Sequence, residues 1–496
     1  MTDVLGTPPV AGSGGATRDS HPLVAPGARL VDAAAGRTLA GTELSAAIEA
    51  AASGYHEMPG GVIFARVGIT VPSALRYLGA WSAGRPVALL DPALQPATLA
   101  DLVERYEPAA VVGLDEGGAG ADPGELPKGY RRVEHATLGP AWVTEATPAH
   151  TPHPDLGILL ATSGSTGSPK LVRLSRAAVL DNARAITGAL RLSGTEVAPT
   201  SLPLFYSYGM SVLNSHLSAG ATVVVVDGGV LAREFWQAFD AYGATSLAGV
   251  PYSYEMLARI RWKPAKHPTL RTLTQAGGRL RPELISAFHE QITAEGGRFY
   301  VMWGTTEAAP RMTTLPAERL PEKLGSVGPA LDGGTLSIRT ADGTETTEPG
   351  VTGEIIYRGR NVMMGYAQTA ADLARGDETG GVLPTGDLGH LDEDGFAWIT
   401  GRIKRIGKVF GIRVNLDDIE QIARATGLVS GPLVAVAAGE RVVLWCEGAV
   451  PAELGPAVAG QLKVHKSAVD VRAVDALPLL PNGKIDYRSL EAGAAI

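Results

Sequence analysis

Short apolar runs alternating with longer stretches of helical periodicity set the strongest limit on how this chain can fold. Gly61-Val62-Ile63-Phe64-Ala65 and Pro86-Val87-Ala88-Leu89-Leu90 flank a segment from Pro72 to Ala83 whose apolar residues recur at helical spacing. A strand, a crossover helix and a second strand form a βαβ unit. Similar strand candidates follow at Ala109 to Gly113, Ala221 to Val226 and Thr245 to Val250. Continuous apolar strands joined by helices predict largely parallel sheets covered on both faces. From Gly325 to Trp398 the texture changes to brief strands broken by Gly and Asp, such as Leu336-Ser337-Ile338 and Gly353-Glu354-Ile355-Ile356-Tyr357. That pattern predicts a small barrel-like β subdomain. A boundary falls near Arg402, and a compact segment follows it. At 496 residues the chain exceeds one ordinary core, so an α/β body with a small C-terminal domain is expected.

Composition removes several classes of function. Hydrophobic residues make up 45% and charged residues 19%, as in a soluble globular protein. The net charge is −8 without a Lys/Arg cluster, which disfavours nucleic acid as a partner. No apolar run is long enough to span a membrane. The single cysteine, Cys446, excludes an internal disulfide; cytoplasmic residence and a buried packing role for its thiol are expected. The first residues, rich in Gly, Pro, Ala and Thr, read as a disordered tail over 1–28 rather than a signal peptide.

Chemistry enters at Thr162-Ser163-Gly164-Ser165-Thr166-Gly167-Ser168-Pro169-Lys170. The apolar run Leu156 to Leu160 leads in as a strand, and a helical pattern resumes near Ser175. Glycines let backbone N–H groups approach phosphate oxygens, hydroxyls add donors, and the lysine adds charge. The run is not a Walker A loop, because Pro169 precedes Lys170 and Leu171 follows it. Near the C-terminus, Leu479-Leu480-Pro481-Asn482-Gly483-Lys484 forms a tight turn that projects Lys484.

Between them lie Trp303-Gly304-Thr305-Thr306-Glu307, Thr385-Gly386-Asp387 and Gly401-Arg402-Ile403-Lys404. In this order the five motifs resemble the adenylate-forming superfamily of acyl- and aryl-CoA synthetases, peptide-synthetase adenylation domains and luciferases, from about Val62 to Leu490. The resemblance implies a large N-terminal domain (29–401) of two αβ layers plus a distorted β-barrel, and a small mobile α+β C-terminal lid (402–496). It implies ATP and Mg²⁺, with a carboxylate attacking the α-phosphorus and expelling pyrophosphate. Thr162, Ser163, Gly164, Ser165, Thr166, Gly167 and Lys170 would cradle the phosphates. Glu307 would hold Mg²⁺, which prefers one or two carboxylates plus phosphate oxygens. Thr306 would donate to the α-phosphate. Asp387 and Arg402 would contact ribose. Trp303, beside Gly304 and Thr305, offers an aromatic face to adenine, and Gly277 and Gly278 let backbone approach the base. Lys484 would stabilise charge developing between carboxylate and phosphate. Lys404 matches the family's hinge; a solvated charge beside Arg405 and Lys408 is the equally weighted reading.

The chain departs from the family pattern at four places. Leu171 stands where glycine usually follows the phosphate-loop lysine. Arg279 replaces a small residue or proline beside adenine, within reach of a phosphate or of the substrate. The C-terminal domain is shorter than is common. In Leu204-Phe205-Tyr206-Ser207-Tyr208-Gly209-Met210, Tyr206 occupies a position where amino-acid-activating relatives carry aspartate. A buried α-ammonium needs an anion, which tyrosine does not supply. The expected substrate is therefore a carboxylic acid without an α-amino group. Tyr208, Gly209, Tyr252, Met302 and Trp303 complete a pocket suited to an aromatic or planar acid. Three acceptors stay open: the thiol of CoA, the pantetheine of a separate carrier protein, and a small amine, as in amide synthetases. Gly411 matches the glycine past which a pantetheine arm threads, but a turn would need it equally. A non-catalytic nucleotide-binding relative is the reading from another class; a phosphotransferase releasing ADP is remote.

Overall fold

The computed structural model describes residues 23–117, 123–162, 170–409, 412–429, 431–439, 441–462, 464–480 and 483–494. Its largest sheet has eight strands. Ile63–Arg66, Val87–Leu90, Ala110–Val112 and Leu156–Thr162 form its parallel centre. Lys170–Ser175 and Gly365–Ala367 continue one side antiparallel, and Gly139–Thr144 and Tyr130–His135 the other. The strands Ile63–Arg66 and Val87–Leu90 are buried at every position, as covered parallel strands must be. The helix between them, Val71–Ser82, starts where the Thr70 hydroxyl accepts the Ser73 N–H at 3.1 Å, with Pro72 in its first turn.

A second sheet orders Val197–Pro199, Thr222–Val225, Arg29–Asp32 and Arg37–Ala40, the first three mutually parallel. A third runs Ser246–Gly249, Thr272–Gln275 and Arg298–Gly304 in parallel, with Arg311–Leu315 folding back antiparallel at the edge. The parallel arrangement expected from the apolar runs therefore holds at the centres of the sheets, and antiparallel strands close their edges. The broken-strand region forms a five-stranded antiparallel sheet that includes Gly334–Arg339, Gly353–Gly359, Val382–Leu391 and Ala397–Arg402.

After Arg402 comes the smaller C-terminal domain. Its three-stranded sheet, Leu433–Ala438, Arg441–Glu447 and Val469–Val474, packs against helices Leu416–Ala425, Leu454–Gln461 and Tyr487–Ala494. Cys446 is buried there, and burial pushes its thiol up to about 11, so it packs as a small hydrophobe.

Two expectations are amended. The tail read over 1–28 ends sooner, because Leu23 is fully buried and the Ala25 N–H donates to the Leu217 carbonyl at 2.9 Å. An apolar triplet, Leu23-Val24-Ala25, has a helix end to dock on; residues before 23 lie outside the described ones. Leu171 is fully buried in the core under the large sheet, so the strand after the glycine run carries an apolar anchor where the family usually has glycine.

Candidate active site

The strand Arg298–Gly304 delivers the central residues. Its register with Arg311–Leu315 shifts between Trp303 and Gly304, and a Cβ on Gly304 would lie 1.9 Å from the Pro310 carbonyl. Only glycine permits that approach, and the chain bulges outward to present Thr305, Thr306 and Glu307. Thr306 Oγ1 lies 3.2 Å from Ser207 Oγ, at the start of helix Ser207–Ser218. Glu307 Oε1 accepts the Tyr366 hydroxyl at 2.8 Å, and the Thr305 hydroxyl donates to Oε2. The Lys170 ammonium sits 5.6 Å from the centre of the Tyr366 ring. Tyr366 thus links the cation that ends the glycine run to the carboxylate of the second motif. Its strand, Gly365–Ala367, pairs antiparallel with Lys170–Ser175. Ser163 to Gly167 lie outside the described residues, as does the side chain of Thr162.

Asp387 and Arg402 face each other across neighbouring strands. Arg402 Nε donates to Asp387 Oδ1 at 2.7 Å, and Trp303 Nε1 donates to Oδ2 at 3.0 Å. Burial raises the Asp387 carboxyl above its usual range, against the opposing pull of Arg402 and the Trp303 hydrogen bond. Each oxygen retains a lone pair for a further donor.

Lys484 comes from the other end of the chain. Its turn is closed by Gly483 N–H to the Leu480 carbonyl (2.8 Å) and Leu480 N–H to the Lys484 carbonyl (2.7 Å). Gly483 has φ +75°, and a Cβ there would come 3.1 Å from Val250 Cγ2 of the large domain. The Lys484 ammonium lies 5.1 Å from the Tyr206 ring centre. Burial lowers it to about 8, Arg402 adds to that, and Glu307 opposes it. Four of the five sequence motifs therefore meet at one place, and the fifth ends there at Lys170.

Tyr206 and Tyr208 are buried, with ring centres 6.2 Å apart in an edge-on arrangement. Gly277, at φ +86°, makes room for the Tyr206 hydroxyl, since a Cβ there would sit 2.3 Å from that oxygen. Gly209 allows the helix start to close on Pro203, whose carbonyl would be 2.2 Å from a Cβ. Tyr206, Tyr208 and Met302 share one apolar cluster, with Tyr252 packed against it. Trp303 belongs to a different cluster because consecutive strand residues face opposite ways. Its indole supports Asp387 and is nearly buried. Arg279 and Gly278 are exposed, and Arg279 is an electrostatic neighbour of Asp418 on the C-terminal helix Leu416–Ala425. Lys404 falls in the turn Ile403–Arg405 directly after the strand that ends at Arg402.

Sequence reading missed Tyr366, Ser207 and Arg311. Ser207 lay within a motif already singled out, whereas Tyr366 and Arg311 enter only through strand pairing.

The nucleotide's requirements fit these residues: buried Asp387 offers acceptor oxygens, Lys170 and Lys484 supply charge, and Glu307 presents a carboxylate. Among the described residues no cluster of three or more His, Cys, Asp or Glu forms a metal cage. A single carboxylate suits a cation that takes its other ligands from phosphate and water. No helix is long and apolar enough to cross a membrane among the described residues.

The family model for AMP-binding enzymes matches residues 24–367. Indoleacetate–CoA ligase of Aromatoleum aromaticum is 32% identical over 68% of this chain and 67% of that protein. Oxalate–CoA ligase of Arabidopsis thaliana is 33% identical over 54% of the chain and 52% of its own length, so the alignment spans about half of that relative. The ATP-bound structure of MatB from Rhodopseudomonas palustris superposes with a TM-score of 0.75 at 23% identity, covering 95% of this chain and 96% of that one.

Proposed function

Because this chain belongs to the adenylate-forming superfamily of AMP-binding enzymes, we propose that it activates a carboxylic acid with ATP and passes the acyl group to the thiol of CoA. The observation that carries this reading is the placement of Lys484, from the C-terminal turn, over Tyr206 and within electrostatic reach of Glu307 and Arg402. A lysine serving only as a surface charge on a turn has no reason to sit half-buried within electrostatic reach of this carboxylate.

In the first half-reaction an oxygen of the carboxylate forms a bond to the α-phosphorus. The bond to the bridging oxygen breaks, and its electron pair leaves with pyrophosphate. Negative charge grows on the bridging and non-bridging oxygens. Lys484 and Thr306 are the groups that meet it, and donors fixed in a water-poor site are worth more than the same donors in water. Asp387, held by Trp303 and Arg402, receives the ribose hydroxyls. Glu307 would hold Mg²⁺, which supplies charge neutralisation for the departing pyrophosphate when bound. In the second half-reaction the thiol sulfur, its proton lost to solvent, attacks the acyl carbon and AMP departs with its bonding electrons. The thiol acceptor is supported by relatives named as CoA ligases. Tyr206, in place of an acidic residue, favours acids without an α-amino group.

The test is to incubate the protein with Mg-ATP, CoA and a panel of aryl, acyl and amino acids. Acid-dependent release of AMP and pyrophosphate together with an acyl-CoA product is expected. ADP as the nucleotide product sinks the reading. An amide formed from added amines, with CoA inert, would replace the thiol acceptor and keep the adenylation step.

A further inference from the structure

A buried arginine that the proposed adenylation chemistry does not use lies against Tyr208, behind the side chains proposed to bind the acid. Arg311 is 2% exposed. Its backbone is clamped by two asparagines: the carbonyl accepts from Asn182 Nδ2 at 2.8 Å and Asn361 Nδ2 at 2.9 Å, and the N–H donates to Asn182 Oδ1 at 3.2 Å. The guanidinium lies over the Tyr208 ring, 4.8 Å from its centre. Its Nη1 has no hydrogen-bond partner. No carboxylate pairs with it among the described residues.

Other buried arginines have carboxylate or carbonyl partners, although Arg173 Nε, like Arg311 Nη1, has none of its own. Arg76 pairs with Glu116 and Asp115, Arg173 with Glu378, and Arg66 donates to the carbonyls of Leu114 and Pro92. A buried cation left without an anion is costly, so an unpaired one is kept for a purpose other than stability.

A cavity of about 20 Å³ borders Arg311, Tyr208, Met302 and His216. That is room for roughly one water-sized group. The aromatic contacts Lys484–Tyr206, Tyr206–Tyr208 and Tyr208–Arg311 connect this cavity to the catalytic lysine. His216 Nδ1 lies 2.8 Å from the Val212 carbonyl, which places its proton there and leaves Nε2 as an acceptor, itself without a partner. Two residues of the cavity lining thus each carry an unused group, a donor on Arg311 and an acceptor on His216.

We propose that Arg311 selects the substrate, and that the pocket takes carboxylic acids carrying an oxygen acceptor at the end remote from the reacting carboxyl. The proposal rests on the adenylation reading above. Two sources of that oxygen are distinguishable. A hydroxyl satisfies Arg311 and donates to His216 Nε2, whereas a second carboxylate satisfies Arg311 alone.

Two acid series of different length provide the test: benzoate and cinnamate, each with its para-hydroxy and para-carboxy derivative. Pyrophosphate release gives kcat/KM for each. In at least one series the oxygen-bearing acid is expected to exceed its parent by about ten- to a hundred-fold, since a site built around a polar group rejects the analogue lacking it. Arg311→Met should cut that ratio to about unity while the parent acid changes much less; Arg311→Lys should retain part of it. A hydroxyl preference should also shrink in His216→Leu, and a carboxylate preference should not. Parent acids matching both derivatives in the wild-type protein overturn the proposal, as does a ratio unchanged in Arg311→Met; a water alone then fills the cavity. The wild-type comparison and Arg311→Lys decide the matter if Arg311→Met fails to fold. Should no acid release pyrophosphate, the adenylation reading fails for these acids, and thermal shifts judge Arg311 separately. Equal shifts from parent and oxygen-bearing acids overturn its role, and larger shifts from the latter support it.

Discussion

In the proposed mechanism Lys484 would have to be charged to stabilise a pentavalent phosphate, yet its surroundings push it toward neutrality. Burial is the larger cause and Arg402 the second, with Glu307 opposing both. With the ammonium at about 8 in the free protein, the active protonated form declines as pH rises through that value. The kcat/KM of adenylation should therefore fall on the alkaline side with an apparent pKa near 8, and measuring it against pH checks this. Lys484→Ala should lower kcat by about a hundred- to a thousand-fold, the usual loss for one transition-state donor, and leave the alkaline limb flat. ATP affinity should change little. Adenylation within a factor of two of the parent protein removes Lys484 from the mechanism. The same lysine bears on stability with a defined sign. Its folded pKa is below the unfolded value, so the unfolded chain binds more protons between about 8 and 10.5, and stability rises with pH across that window.

Among the elements, the segment from Arg402 to Arg405 joins the strand Ala397–Arg402 to the C-terminal domain. One orientation of that domain seats Gly483 against Val250 and Lys484 over Tyr206; in the proposed mechanism a thiol would then have to reach the carbonyl that Lys484 already faces, a conflict of access. Rotation about Lys404 between half-reactions would resolve the conflict, and it requires a backbone free to change φ. Lys404→Pro fixes that angle near −65°. Acyl-AMP formation followed by rapid quench should be nearly normal in this variant, and consumption of acyl-AMP on adding CoA should be slowed. Equal slowing of both steps indicates general damage; unimpaired transfer places the hinge elsewhere. This scale also shows what the chain made readable. The alternation of apolar runs and helical segments located the four parallel strands of the eight-stranded sheet and one strand in each of the second and third, because burial on both faces leaves a direct mark in composition. Lys484 was legible from its turn. Tyr366 was not, because it reaches Glu307 only through antiparallel pairing with the strand beginning at Lys170. Arg311 heads a strand of mixed residues, Arg311-Met312-Thr313-Thr314-Leu315, and nothing local distinguishes it from an exposed edge arginine. For Trp303 the structure adds a hydrogen bond from the indole N–H to Asp387, and its contact with adenine stays a proposal.

Across the whole molecule, residues separated by more than three hundred positions, Lys170 and Lys484, come toward one carboxylate, because a sheet edge and a C-terminal turn converge on Glu307. In the proposed mechanism the large domain would supply ribose, phosphate and acid contacts, and the small domain the cation needed only at the transition state. The central claim is that the carboxylate itself attacks the α-phosphorus. It is tested by supplying an accepted acid labelled with heavy oxygen in its carboxyl group, with Mg-ATP and CoA, and weighing the nucleotide product by mass spectrometry. One carboxylate oxygen stays on phosphorus when the thiol displaces AMP, so AMP carrying a single heavy oxygen is predicted. Unlabelled AMP, or label in inorganic phosphate accompanied by ADP, would contradict the account.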